Sequence, residues 1–289
     1  MAGEDSLISN VSDTARWVAA YRAVESARPD ALFRDPLADR LAGERGYAMA
    51  AAAPWIMRNG WPVVTRTTLI DDLIATSIQE GCDRVVNLAA GLDTRPYRLN
   101  LPEDFVWVEA DLPKMTAEKD TTLATETSRC TLMRRGVDLA DTDARAKFLD
   151  EALGPLGPKA APATKALVLT EGLLMYLDEK TVADLVRALT RPEIAWWLAD
   201  GTVGMKRMRS NASMFENAPL RFEPANGIAF FEQLGWQPLE VEHLLVHARK
   251  LRRAPWFLRL FTYLRQPDPR TPGRYPWSGV VRLRHTPQN

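Results

Sequence analysis

The chain has 289 residues, 46% of them apolar and 26% charged, with 37 basic residues balanced by 37 acidic ones. That apolar fraction supports a packed core and excludes a disordered chain, and the balanced charge leaves no overall field to gather nucleic acid. Two cysteines, Cys82 and Cys130, are too few for a disulfide framework or a zinc site, and the longest apolar stretch, Tyr47 to Met57, is too short to span a bilayer. No secretory signal and no fixed-period repeat is visible, so the expectation is a soluble, cytoplasmic protein with no nucleic-acid partner and no stable membrane insertion.

Residues 1–80 read as helical. Trp17, Tyr21 and Val24 share one face of a helix, and Leu69, Leu73, Ile74 and Ile78 share a face of another that Gly81 stops. Arg84 to Leu88 then reads as a buried strand running into the turn at Gly91, followed by strands at Phe105–Glu109, Thr131–Val137, Lys165–Thr170 and Ile194–Leu198. Helical spacing appears between them, at Phe148, Leu149 and Leu153, and at Val182, Leu185, Val186 and Leu189 behind an Asp178 cap. Met205 to Phe231 is mixed and loop-rich, Gly235 to Val241 is a turn into a sixth strand, and Val280 to Arg284 is a seventh. Arg249 to Gly279 is too long for a plain connection and reads as an inserted cap. Helix-length crossovers between strands imply a doubly wound, mostly parallel, seven-stranded α/β sheet. The expected divisions are a helical lid at 1–80, a ligand-binding core at 81–204, and at 205–289 the remaining core strands with a substrate cap.

In such sheets ligands bind beyond the carboxyl ends of the strands. Gly91 follows the first strand, Glu109 and Asp111 the second, Asp138 the third, Glu171 the fourth and Asp200 the fifth. Gly91 lets a ligand approach the backbone, and Asp111 lies twenty residues on, the separation of a nucleotide-binding turn from the acid that reads its ribose. A full dinucleotide fingerprint is missing, because Ala89 stands where its first glycine belongs and only the middle one, Gly91, is kept. Asp93 near the helix start disfavours a pyrophosphate. The set favours an adenosyl ligand without phosphates.

The run Val85-Val86-Asn87-Leu88-Ala89-Ala90-Gly91-Leu92-Asp93-Thr94-Arg95 resembles the first motif of the leucine carboxyl methyltransferase-like family of S-adenosylmethionine-dependent enzymes, bacterial tetracenomycin-type polyketide O-methyltransferases among them. Thr170-Glu171-Gly172-Leu173-Leu174-Met175-Tyr176-Leu177 resembles its fourth-strand motif, Arg66-Thr67 with Ile70-Asp71 its upstream arginine segment, and Thr14-Ala15 through Asp35-Pro36-Leu37-Ala38 its bacterial N-terminal signature. The resemblance implies a class I, Rossmann-like methyltransferase with S-adenosyl-L-methionine as cofactor. It implies that Arg66 pairs with the cofactor carboxylate, Gly91 admits the cofactor to the loop, Asp111 takes the ribose hydroxyls, Asp138 the adenine amine with Leu139 beside the ring, and Glu171 sits near the methionyl part. Glu109 rivals Asp111, Arg22 is a further basic candidate, and Ala89 departs from a position usually held by glycine.

Methyl transfer from a sulfonium needs alignment and exclusion of water. A carboxylate acceptor, with pKa about 4, needs no base, whereas a phenol or alcohol does. The histidines are His243, His247 and His285, of which the first two lie in or just after the sixth strand, where a surface or core role outweighs base duty, and Tyr176 is the candidate catalytic group beside the reacting centre. The reading is O-methylation of a small metabolite carboxylate in secondary metabolism, against a hydroxyl or phenol of polyketide type, and against a non-catalytic cofactor-binding or partner protein. A nicotinamide oxidoreductase fits less well, because the glycine fingerprint is incomplete. Between Arg249 and His285 stand ten Lys or Arg residues, one acid, Asp268, and aromatic residues including Trp256, Phe261 and Tyr263. That composition suits a lid over an apolar, anionic acceptor, an acidic carrier-protein contact, attachment to a membrane surface, or simply a packed helix with a solvated basic face.

Overall fold

The computed structural model describes residues 13–157, 160–203, 219–271 and 277–285. Helices α1 (Asp13–Ser26), α2 (Ala38–Ala52) and α3 (Trp61–Gln79) precede the sheet. Then come β1 (Arg84–Leu88), α4 (Arg95–Arg98), β2 (Val106–Asp111), α5 (Pro113–Thr122), β3 (Thr131–Gly136), α6 (Thr142–Leu153) and β4 (Ala166–Thr170). A 3-10 turn (Leu174–Tyr176), α7 (Glu179–Ala188), β5 (Ile194–Val203), α8 (Ala229–Gln233), β6 (Trp236–His243), α9 (Leu244–Lys250), a 3-10 segment (Trp256–Tyr263) and β7 (Trp277–His285) follow.

The seven strands lie in the order β3-β2-β1-β4-β5-β7-β6, and β7 runs antiparallel to both neighbours. The chain leaves β1 towards β2 and β3, then returns to place β4 on the other side of β1. That reversal opens a crevice at the carboxyl ends of β1 and β4, the place where doubly wound sheets bind ligands.

Both faces of the sheet are covered, which is why β1 and β4 are buried at every position. Alternate residues serve opposite faces. Val86, Leu88, Val108 and Val168 pack with Phe148 and Leu149 of α6 and Val182 and Leu185 of α7. Val85, Trp107, Leu167 and Leu169 pack with Ile70, Leu73 and Ile74 of α3. The buried Arg84 donates to the carbonyls of Ala152, Gly154 and Ala161 at 2.5–2.7 Å, closing the sheet's opposite end.

The Asp178 cap is present, accepting from the Thr181 amide at 2.7 Å, and Gly81 follows α3 at φ +97°. Two expectations need correction. Val24 is exposed, and α1 instead buries Trp17 and Tyr21 with Ala19, Ala20 and Ala23. Asp200 lies within β5 rather than after it, because β7 pairs along Trp197–Val203 and prolongs the strand. Tyr176 sits in a 3-10 turn. Much of the loop-rich reading of Met205 to Phe231 lies outside the described residues. Among the described residues no helix is long and apolar enough to cross a membrane.

Candidate functional site

A cavity of about 340 Å³ occupies the crevice. Thr14, Ala15, Val18 and Arg22 of α1 and Arg66 of α3 line it, with Asn87 and the loop Ala89–Asp93 after β1. Asp111, Leu112 and Met115 line it from β2 and α5, Val137 to Ala140 from the segment after β3, and Glu171 to Leu173 with Tyr176 and Leu177 from the segment after β4. Arg66, Gly91, Asp111, Asp138, Leu139, Glu171 and Tyr176 therefore share one cavity, as does Arg22.

The loop after β1 is held in an unusual conformation. Ala89 and Gly91 both have positive φ, +54° and +48°, a region that costs an alanine about 1–2 kcal/mol. At Gly91 a Cβ would also stand 3.3 Å from the Ala15 methyl of α1. Arg22 ties α1 to this loop, donating to the Leu92 carbonyl at 2.6 Å and to Asp35 at 2.9 Å.

Asp111 ends β2, and its carboxylate accepts from the Gly91 amide at 2.6 Å and the Leu112 amide at 2.7 Å. Burial raises its pKa against the pull of those two amides. Glu109 lies two residues deeper on the same strand face and pairs with Lys119 and Arg134 at 2.8 and 2.7 Å, away from the cavity wall. Asp138 accepts from the Ala140 amide at 2.9 Å through one oxygen.

Glu171 bridges two arginines, accepting from Arg66 Nε and Arg95 Nη1 at 2.8 Å each. Burial works to raise its pKa, but the two guanidinium groups outweigh it and hold the carboxyl below the usual range. Arg66 Nη1 also donates to Asp200 at 2.7 Å, and Asp200 accepts from the Gly172 amide at 2.7 Å. Asp200 is raised by burial despite Arg66. Arg95 further engages Asp93 and Asp71 at 2.7 Å, and Arg98 grips Asp71 at 2.6 Å. Asp93 also accepts from Asn87 Nδ2 at 2.8 Å, and its carboxyl, despite burial, is held well below the carboxylate range by Arg95.

Sequence reasoning assigned no role to Asp71, Asn87 or Arg95, and read Asp93 only as disfavouring a pyrophosphate. The available signal was charge in apolar surroundings: Arg66 and Asp71 interrupt a helix otherwise rich in Val, Leu and Ile, and Asp93 and Arg95 flank the start of α4. His243, His247 and His285 are absent from the cavity wall, and so is every described residue of the expected cap between Arg249 and Thr271.

The wall suits an adenosyl sulfonium on its chemistry. It offers apolar side chains from Met115, Val137 and Leu139, acids without phosphate-binding glycines, and Arg66, whose Nη2 has no acceptor among the described residues. The volume lies within the range of small-ligand pockets. Residues 15–190 match the family model described as Leucine carboxyl methyltransferase.

The chain belongs to the leucine carboxyl methyltransferase family.

This methyltransferase is 32% identical over 246 residues to a Frankia alni protein assigned as an S-adenosyl-L-methionine-dependent methyltransferase, covering 79% of this chain and 83% of that one. A Saccharopolyspora erythraea protein with the same assignment is 36% identical over 187 residues, covering 62% of this chain and 63% of the other. The fold is shared with a crystal structure from Thermobifida fusca assigned as a methyltransferase, at 13% identity and TM-score 0.56, covering 98% and 97% of the two chains. A DUF574 family protein from Streptomyces avermitilis aligns at 15% identity and TM-score 0.55, covering 94% and 97%.

Proposed function

We propose that this family member uses S-adenosylmethionine to methylate a carboxylate oxygen of a small, apolar, anionic metabolite. The observation that carries the reading is the composition of the cavity wall. Among the described residues it combines Arg66, Arg22 and an acid at the end of β2, but no histidine, lysine or cysteine.

The bound cofactor supplies an electrophilic methyl group on a sulfonium sulfur. On this reading Arg66 holds the cofactor carboxylate, Asp111 the ribose hydroxyls, Asp138 the adenine amine, and Leu139 packs beside the ring. Asp111 keeps lone pairs for hydroxyl donors, because each of its oxygens accepts one backbone N–H and can accept another. Glu171 orients Arg66 through its Nε contact and adds negative charge that favours a cationic ligand. The α1 wall, with Ala15 and Val18, excludes water from the transfer. A carboxylate acceptor is ionised at neutral pH, so a wall without a basic side chain near neutrality suffices. Arg22 adds a second cation for an anionic acceptor.

A hydroxyl acceptor is the second reading, and it is favoured by Tyr176, a polar side chain on the same wall. Calorimetric titration with S-adenosylhomocysteine beside NADH tests the cofactor, and absence of heat with the former sinks the proposal. Transfer of labelled methyl to a panel of carboxylic acids and phenols then separates the acceptors. Labelling of phenols alone, abolished in Tyr176→Phe, would replace the carboxylate reading.

A further inference from the structure

The 3-10 segment Trp256–Tyr263 is ordered from beneath and apolar on top. Ala254 and Thr262 are buried, and Arg253 binds Glu25 of α1 at 2.7 Å and Asp30 at 3.1 Å. Phe257 packs on Trp55 with ring centroids 4.8 Å apart, and the Arg249 guanidinium lies 4.4 Å from the Tyr263 ring centre. Held this way, Trp256 is 79% exposed and Leu260 76%, and Phe261, Tyr263, Leu264 and the neighbouring Trp55 are exposed as well. Isolated exposed apolar residues are ordinary, but a cluster on a pinned segment marks a contact surface.

Its charge identifies the partner. From Arg249 to Pro267 there are six Lys or Arg residues and no acid. Arg253 is spent on Glu25 and Asp30. Lys250, Arg252, Arg259 and Arg265 are exposed and make no ion pair among the described residues. We infer that this face docks the protein on an anionic lipid bilayer, with Trp256 and Leu260 entering the headgroup boundary and the arginines facing lipid phosphates. Protruding apolar and aromatic side chains beside basic ones are the chemistry of interfacial attachment, which needs no complementary pocket. Isologous pairing with a second copy would set these cations against one another. The inference is independent of the methyl-transfer reading, because no described residue of the segment lines the cavity.

Co-sedimentation of the full chain with vesicles of phosphatidylcholine, alone or mixed with phosphatidylglycerol, tests it. The expected result is binding to the mixed vesicles only, weakening as salt is raised. Trp256→Ser with Leu260→Ser should abolish binding, while Arg259→Gln and Arg265→Gln should each weaken it about fivefold at low salt. These side chains are exposed, so thermal unfolding should be unchanged and binding loss cannot be misfolding. Wild-type protein that stays in solution with both vesicles overturns the inference, as does undiminished binding by the double variant. A chain that ignores vesicles but binds polyglutamate, or dimerises, through Trp256 overturns it in favour of an acidic protein or a second copy.

Discussion

Arg66 and Arg282 are both arginines braced by two carboxylates, yet they occupy opposite situations. Arg282 on β7 is 2% exposed, and all three of its guanidinium nitrogens are engaged, by Glu240, Glu80 and Ser77. It joins β6 and β7 to the end of α3 and has no donor left to give. Arg66 on α3 spends Nε on Glu171 and Nη1 on Asp200, and leaves Nη2 on a side chain that lines the cavity. A saturated arginine is a structural clamp, whereas one with a spare donor at a cavity wall is equipped to bind an anion.

Exchanging each arginine for methionine is the strongest way to break that comparison. Arg282→Met should cost about 1 kcal/mol of stability, read from urea unfolding, because its hydrogen bonds are lost while Glu80 and Glu240, both partly exposed, can turn to water. Its folded fraction should bind S-adenosylhomocysteine normally. Arg66→Met should weaken that binding by about 2 kcal/mol, roughly 30-fold, and should also cost stability, because it leaves the buried Glu171 and Asp200 short of a partner. Equal affinities in the two variants would erase the distinction.

The two acids of β2 repeat the contrast on a smaller scale. Asp111→Ala should reduce S-adenosylhomocysteine affinity by about 1–3 kcal/mol in calorimetry. Glu109→Ala should leave affinity intact and lower the unfolding midpoint, since it frees the buried Lys119 of its partner.

Acid titration sharpens the difference in sign between the site's own carboxyls. Glu171 and Asp93 have folded pKa values below their unfolded ones, so their stabilisation is complete above about pH 4 and is lost as pH falls through the folded values. Asp111 and Asp200 are raised, so the cost of burying their charge is relieved earlier in the descent, as pH falls through their folded values towards about 4. Urea midpoints followed downward from neutrality should fall mainly below about pH 4, and less steeply in Glu171→Gln.

The smallest effect belongs to Ala89→Gly. Relief of roughly 1–2 kcal/mol of left-handed strain, set against roughly 0.5–1 kcal/mol of added chain entropy, predicts a net gain of about 0.5–1 kcal/mol in thermal unfolding. A loss would mean that the Ala89 methyl makes packing contacts worth more than the strain.

Strands β1 to β4 were legible because buried apolar runs between helix-length crossovers have few other solutions, and the cavity position followed from the reversal in strand order. Asp200 was misplaced because strand length there is set by β7, eighty residues away at Val280. The insertion between β6 and β7 read as a cap because it is too long for a plain connection, but length does not say which cavity a segment lines, and none of its described residues lines this one.

The sequence by itself determined the period of each element, the turn at Gly91 and the row of acids near the strand ends, all local properties of the chain. Only the tertiary structure decided which acid faces the cavity and which arginine meets which carboxylate. Glu109 and Asp111 share a strand face, and two residues of depth, about 6–7 Å, put one under Lys119 and Arg134 and the other at the rim. Arg66 meets Glu171 and Asp200 across 105 and 134 residues. Periodicity carries no information about such pairs, because they form where α3 packs on the face of the sheet and brings distant charges into a medium too dry to leave them apart.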